Sequence, residues 1–187
     1  DIAGVVNESV LSKILTIANA NPDANGTNVP TGVSDIGQFK FSAAPHNNSK
    51  NGLNKVILSG VVFNVTATNV LMNTADFKFF NKANSTITSA CTVRSSTGAI
   101  LLGGETTQTG NFTVLCDAIT SSSVNTSIDQ GTDQTFVLKA NITATTSTSI
   151  LQVVLQQFDN ISRSSFGAGN GSTVSHFQWQ DQDSASL

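Results

Sequence analysis

Apolar and polar positions alternate through most of this chain. In residues 136–144, Phe136, Leu138, Ala140, Ile142 and Ala144 fall on one face, and Val137, Lys139, Asn141 and Thr143 on the other. A period of two sends successive side chains to opposite sides of an extended backbone, so the segment is predicted to be a half-buried strand. The same reading predicts strands over 38–43, 55–67, 76–81, 86–93, 99–102, 111–119, 134–145, 149–158 and 174–180, separated by Gly, Asn, Asp and Ser clusters. In 149–158, Leu151, Val153 and Leu155 face one way and Gln152 and Gln156 the other. Phe177 and Trp179 alternate with His176, Gln178 and Gln180. Eight or nine short strands with turns between them predict an all-β fold, an Ig-like, Greek-key β-sandwich.

The leading segment reads differently. Residues 5–20 carry Val5, Val6, Val10, Leu11, Ile14, Leu15 and Ile17. As a helix, Val6, Val10, Ile14 and Ile17 share a stripe that Asn7 can cap. As a strand, Leu11, Leu15 and Ile17 share a face with Lys13. Periodicity leaves both open, and β-branched content favours the strand. Residues 21–37 hold two of the three prolines and three glycines, the composition of a tether or long loop. The expected organisation is an apolar arm (1–20), a tether (21–37) and a sandwich domain (38–187). Such an arm buries its side chains either on its own domain or in another molecule. Sandwich edges carry unpaired N–H and C=O groups. A neighbour's arm can fill such an edge as a donated strand, and head-to-tail donation builds an open filament. Val10, Leu11, Ile14, Leu15 and Ile17 are the candidate donor residues. Docking within the same chain is the other possibility.

Composition changes the picture in two ways. Hydrophobic residues make up 39% of the 187, enough for a core, but charged residues only 11%, less than half the usual share. Solubility must rest on neutral polar groups. The formal charge of -3 lacks the clustered basic face that nucleic acid requires. No run of 18 apolar residues exists to span a bilayer as a helix.

Ten Asn-x-Ser/Thr triplets then stand out, at Asn7, Asn25, Asn47, Asn64, Asn84, Asn111, Asn125, Asn141, Asn160 and Asn170. Each is an acceptor pattern for N-glycosylation in an exported chain. The abundance of Asn, Ser and Thr would generate roughly five by chance, so the set is in excess. Asn111 and Asn141 fall on the polar faces of their predicted strands, where a glycan can protrude. The start at Asp1 fits a mature exported chain and equally a trimmed one. The expectation is an extracellular or cell-surface protein with covalent N-glycans and no other cofactor.

Cys91 and Cys116 are the only cysteines. Ile87, Cys91 and Val93 share one strand face, and Phe112, Val114 and Cys116 another, so both sulfurs point coreward. A disulfide is expected in an oxidising compartment, with two buried thiols as the alternative.

Catalytic chemistry is not legible. His46 lies in a polar loop and His176 on the outer face of the last strand, neither beside a nucleophile or carboxylate motif. No G-x-S-x-G, H-E-x-x-H, P-loop or C-x-x-C pattern occurs. Gly167–Gly171 reads as a flexible turn. Asp129 with Asp133, and Asp181 with Asp183, offer only two carboxylates each for a hard cation, too few for a calcium loop. No enzyme, metal site or small-molecule substrate is expected.

Taken together, a Ser/Thr/Asn-rich sandwich dense in acceptor triplets, with an apolar arm on a tether, resembles subunits of archaeal thread-type filaments. The resemblance is one of organisation along the whole chain and implies donor-strand complementation between identical subunits. Val10–Ile17 would be the donor and a groove in the body the acceptor. Chaperone–usher pilins match less well, because their cysteines bracket an earlier part of the fold. The run from Phe63 to Phe80 is similar to repeated β-domains of surface-layer and adhesin proteins, which implies a monomeric module with its N-terminal segment docked in cis.

Overall fold

In the computed structural model the described residues are 13–21, 28–45, 55–101, 103–119 and 123–156, together with the backbone of 177–181. The chain is all-β. Its strands are β1 (Ile14–Asn19), β2 (Gly32–Ala43), β3 (Lys55–Asn73), β4 (Lys78–Asn81), β5 (Ser89–Ala90), β6 (Thr92–Ser95), β7 (Glu105–Cys116), β8 (Ser127–Asp129), β9 (Asp133–Ala144), β10 (Ile150–Leu155) and β11 (Phe177–Asp181). One 3₁₀ turn, Lys82–Asn84, follows β4, with the Asn81 side chain capping it by accepting from the Ala83 N–H.

All pairings are antiparallel, and the main path of the sheet runs β1-β2-β9-β3-β7-β6. The sheet curls into a β-sandwich because β3 and β9 each serve more than one neighbour along one edge. β9 pairs with β4 through 136–139 and then with β3 through 142–144. Along β3, β11, β10 and β9 succeed one another on one edge, while β8 and β7 share the other. One layer is therefore β1-β2-β9-β4-β5 and the other β6-β7-β3 with β8, β10 and β11.

The bend between layers has a local cause. The β3–β7 register shifts between Ala67 and Val70. Asn69, inside that shift, adopts φ 52°, a left-handed conformation that Asn tolerates better than most side-chain-bearing residues. Opposite Ala67, Gly110 takes φ 135°. Both strands thus fold over at one bulge, the device that bends sheets and increases their twist. Hydrogen bonds hold it. The Thr145 and Ser149 hydroxyls donate to the Asn69 carbonyl at 2.7 and 2.6 Å. The Asn69 N–H donates to Thr109 Oγ1 at 3.0 Å.

The core is aromatic. Phe63 of β3 meets Phe39 of β2 at 5.5 Å and Phe79 of β4 at 6.2 Å between ring centroids, and Phe79 stacks on Phe136 at 5.4 Å. A Cβ at Gly37 would lie 3.0 Å from the Phe39 ring and 3.2 Å from Val153, so glycine permits the close approach of β2 and β10.

Cys91 and Cys116 form a disulfide with Cα atoms 4.4 Å apart. The β6–β7 register, with Thr92 opposite Leu115, puts the cysteines directly across from each other one rung further on. Cys91 sits where the chain leaves β5 in one layer for β6 in the other, and its N–H donates to the Phe77 carbonyl. The bridge therefore pins the crossover between layers.

Several extents differ from the periodicity reading. Among the described residues there are eleven strands, because short β5, β6 and β8 carry too few residues to show a period. The predicted strand 86–93 is split: residues 85–87 are turn and bend, and Ile87 is only half-buried. Of the predicted strand 99–102, the described residues 99–101 contribute a single bridge, Ile100 to Arg94, and residue 102 lies outside the described residues. β7 begins six residues earlier than expected, since its Thr and Gln positions gain strand structure from pairing with β3. β3 runs on to Asn73, past the polar Thr68-Asn69 step where alternation lapses at the bulge. β2 starts at Gly32, so residues 32–37, within the stretch read as a tether, are strand. Turn-forming composition there is outweighed by the ladder to β9.

Candidate functional site: acceptor asparagines and the leading strand

Five of the ten acceptor asparagines lie among the described residues. Asn64, Asn84, Asn111 and Asn125 are exposed, and Asn141 is half-buried on the outward face of β9. Asn7, Asn25, Asn47, Asn160 and Asn170 lie outside the described residues. Inward–outward alternation accounts for the strand positions. Val65 and Phe63 are buried on either side of Asn64, and Phe112 is buried beside Asn111.

The four exposed ones are bonded alike. Asn64 Oδ1 accepts from the Gln156 side-chain amide, Asn111 Oδ1 from the Thr66 hydroxyl at 2.8 Å, Asn84 Oδ1 from the Thr86 hydroxyl at 2.7 Å, and Asn125 Oδ1 from the Ser127 N–H at 3.2 Å. In these four the amide oxygen faces the protein. Asn81, which is not in a triplet, shows the opposite use: it is buried, and its Nδ2 donates to the Asn125 carbonyl at 2.8 Å and to Gln134 Oε1 at 3.2 Å. A sugar attached at Nδ2 is compatible with the first arrangement and not with the second.

Tertiary structure also brings two acceptors together. Asn64 is opposite Thr113, and Thr66 opposite Asn111. Asn64 and Asn111, 47 residues apart in sequence, are thus diagonal neighbours on one sheet face.

Of the candidate donor residues, Ile14, Leu15 and Ile17 are described; Val10 and Leu11 are not. β1 is a strand, which decides between the two readings of residues 14–19. It pairs with β2 of the same chain, Ile17 opposite Phe41 and Asn19 opposite Phe39. The expectation that Leu15 and Ile17 share a face is corrected by a register shift between Ile14 and Thr16. The shift turns Ile14 and Ile17 toward the core, where they pack half-buried, and leaves Leu15 57% exposed. β1 is thus held mainly by its backbone ladder.

Of the carboxylates considered for a cation, Asp129 pairs with Lys55 at 3.2 Å and Asp133 with Lys40 at 3.5 Å. No group of three or more metal-ligating side chains occurs among the described residues. No described helix is long and apolar enough to cross a membrane. His46, His176, Gly167–Gly171 and Asp183 lie outside the described residues. No family model, curated protein or solved structure matches this chain.

Proposed function

We propose that this protein is a non-enzymatic structural subunit of a glycosylated extracellular filament, of the kind the archaeal threads exemplify. Identical subunits join head-to-tail when the leading strand of one completes the sheet of the next. The observation that carries this reading is the way β1 is held. It adds a ladder to the β2 edge but places only Ile14 and Ile17 against the core. An exchanged strand makes the same contacts in a neighbour that it makes at home, so swapping alters connectivity at little cost in contacts. The twelve residues between Asn19 and Gly32 reach up to about 40 Å when extended, ample for a neighbouring body. Burying an aliphatic side chain is worth roughly 1.5–3 kcal/mol, so Ile14 and Ile17 with their ladder make a modest joint.

The acceptor asparagines complete the reading. Glycans at exposed Asn64, Asn84, Asn111 and Asn125 would hydrate a surface poor in charge and shield it from proteases. The Cys91–Cys116 bridge suits an oxidising, extracellular compartment.

A second reading, a monomeric module of a surface-layer or adhesin protein, is favoured by the intrachain β1–β2 pairing. Deleting residues 1–20 separates the two. The filament reading expects a folded monomer that no longer polymerises and binds a synthetic peptide of residues 5–20. A destabilised fold with unchanged assembly supports the module instead. Mass spectrometry of native material tests the sugars, and bare asparagines throughout would remove that part of the proposal.

A further inference from the structure

Among the described residues, β10 is an edge strand that carries no charge. Among the described residues, β10 pairs on one side only, with β3, from Ile150 opposite Thr68 to Leu155 opposite Phe63. The Gln156 N–H donates to the Val62 carbonyl at 3.1 Å. Backbone groups alternate in direction along an antiparallel strand, so Leu151 and Val153 turn their N–H and C=O away from β3, along the free edge. Natural edges are blunted by charge, proline or a bulge. Residues 149–156, Ser-Ile-Leu-Gln-Val-Val-Leu-Gln, contain no charged residue, proline or glycine, and the β3–β10 register is unbroken. On the outward face Ile150 is 57% and Val154 47% exposed. On the inward face Leu151, Val153 and Leu155 pack against the core yet stay only half-buried, as expected of a sheet that stops one strand early.

The order of these residues selects the missing strand. About Gln152 the segment is self-complementary in character: Leu151 balances Val153, and Ile150 balances Val154. We propose that β10 pairs antiparallel with β10 of a second copy of this chain, about a two-fold axis through Gln152. In that register Ile150 lies opposite the partner's Val154 on the outward face, and Leu151 opposite the partner's Val153 on the inward face. The main-chain groups of Leu151 and Val153 meet their complements, and the two Gln152 side chains face each other. Centring the axis on Val153 instead sets Gln152 against Val154 and Ile150 against Gln156, which pairs polar with apolar. Centring it between residues is excluded, because opposed residues of an antiparallel pair must share a face. The result joins two sheets edge to edge. The contact is isologous and closes on itself. It uses a different edge from β1 and does not rest on strand exchange.

The test uses the full 187-residue chain in sedimentation equilibrium, with Gln152→Lys and Gln152→Glu variants. Gln152 is exposed, so neither change disturbs the fold, and circular dichroism checks this. With β1 docked on its own chain, as in the structure, the wild type is expected to show a reversible monomer–dimer equilibrium. Each variant alone places like charges across the axis and weakens the dimer roughly fivefold or more. An equimolar mixture of the two is expected to recover it as a heterodimer. Polymers made by β1 exchange would ignore residue 152, which keeps the two contacts distinguishable. A wild type that stays monomeric up to about 1 mM, variants that dimerise as tightly as wild type, or a mixture that shows no preference for the heterodimer would each overturn the proposal.

Discussion

The two outward faces of this sandwich meet water by different means. On the layer containing β2, β9 and β4, the outward positions include Asp35, Lys40, Lys78, Asp133 and Lys139. Lys139 lies 3.8 Å from Asp35 and its Nζ 4.7 Å from the Phe80 ring centroid. Lys82 donates to Gln38 at 2.7 Å. Long lysine stems on this side cover apolar surface, since Phe80 and Val137 point outward and are still buried. The opposite layer, through β7, β3 and β10, presents Asn111, Thr113, Asn64, Thr66, Gln152 and Val154 and is held by side-chain hydrogen bonds, as between Thr66 and Asn111. Charge is thus interleaved with apolar surface on the first face. On the opposite layer it stands at the margins, as in the Lys55–Asp129 pair of β3 and β8, and the centre relies on neutral polar groups, acceptor asparagines and an uncharged edge.

That contrast can be broken first at the joint between the layers. Phe63 is buried against rings from β2 and β4, and Phe63→Ala is expected to cost about 3–5 kcal/mol by the cavity it leaves, read from urea unfolding. Removing the bridge with Cys91→Ala and Cys116→Ala comes next, with a loss of about 3 kcal/mol. Reduction of the wild type should reproduce that shift, whereas an unchanged midpoint would show the crossover is held by packing alone. At the bend, Asn69→Val forces a β-branched residue into φ 52° and is expected to cost about 1–2 kcal/mol, with Asn69→Gly far milder in the same assay.

The smallest effects sharpen the difference between the faces. Asp35→Ala removes a half-exposed ion pair and should change stability by at most about 1 kcal/mol, fading as salt is raised. Thr66→Val, on the neutral face, should show no such salt dependence, with a loss of about 1 kcal/mol from its hydrogen bond to Asn111. Parallel unfolding curves at low and high salt check both; equal salt sensitivity would erase the distinction drawn between the faces.

Much of the local order was legible in the chain. Alternation at 136–144 predicted which side of β9 packs inward, and Phe136, Leu138, Ala140 and Ile142 are buried as that pattern requires. The coreward direction of Cys91 and Cys116 followed from the same period, and they are bridged. Exposure of Asn111 is alternation again, because a polar side chain flanked by buried ones must face out, and Asn141 faces the same way but is half-buried. These features depend on nearest neighbours along the backbone, whose geometry repeats every two residues whatever the rest of the molecule does.

Other features had no local signal. Strand structure in 32–37 and 105–110 exists because β9 and β3 offer ladders to segments whose composition suggests turns. Leu15 faces solvent through a register shift that periodicity cannot anticipate. The unguarded run 149–156 can be read in the sequence, but its place at a free edge cannot, for an uncharged strand inside a sheet looks the same. Residue order alone determined that this chain is β, which side of β9 packs inward and that Asn111 emerges from its strand. Which strands lie side by side, where the sheet bends and where it stops were decided by pairing between distant segments, because a strand's hydrogen bonds are satisfied by another strand and never by itself.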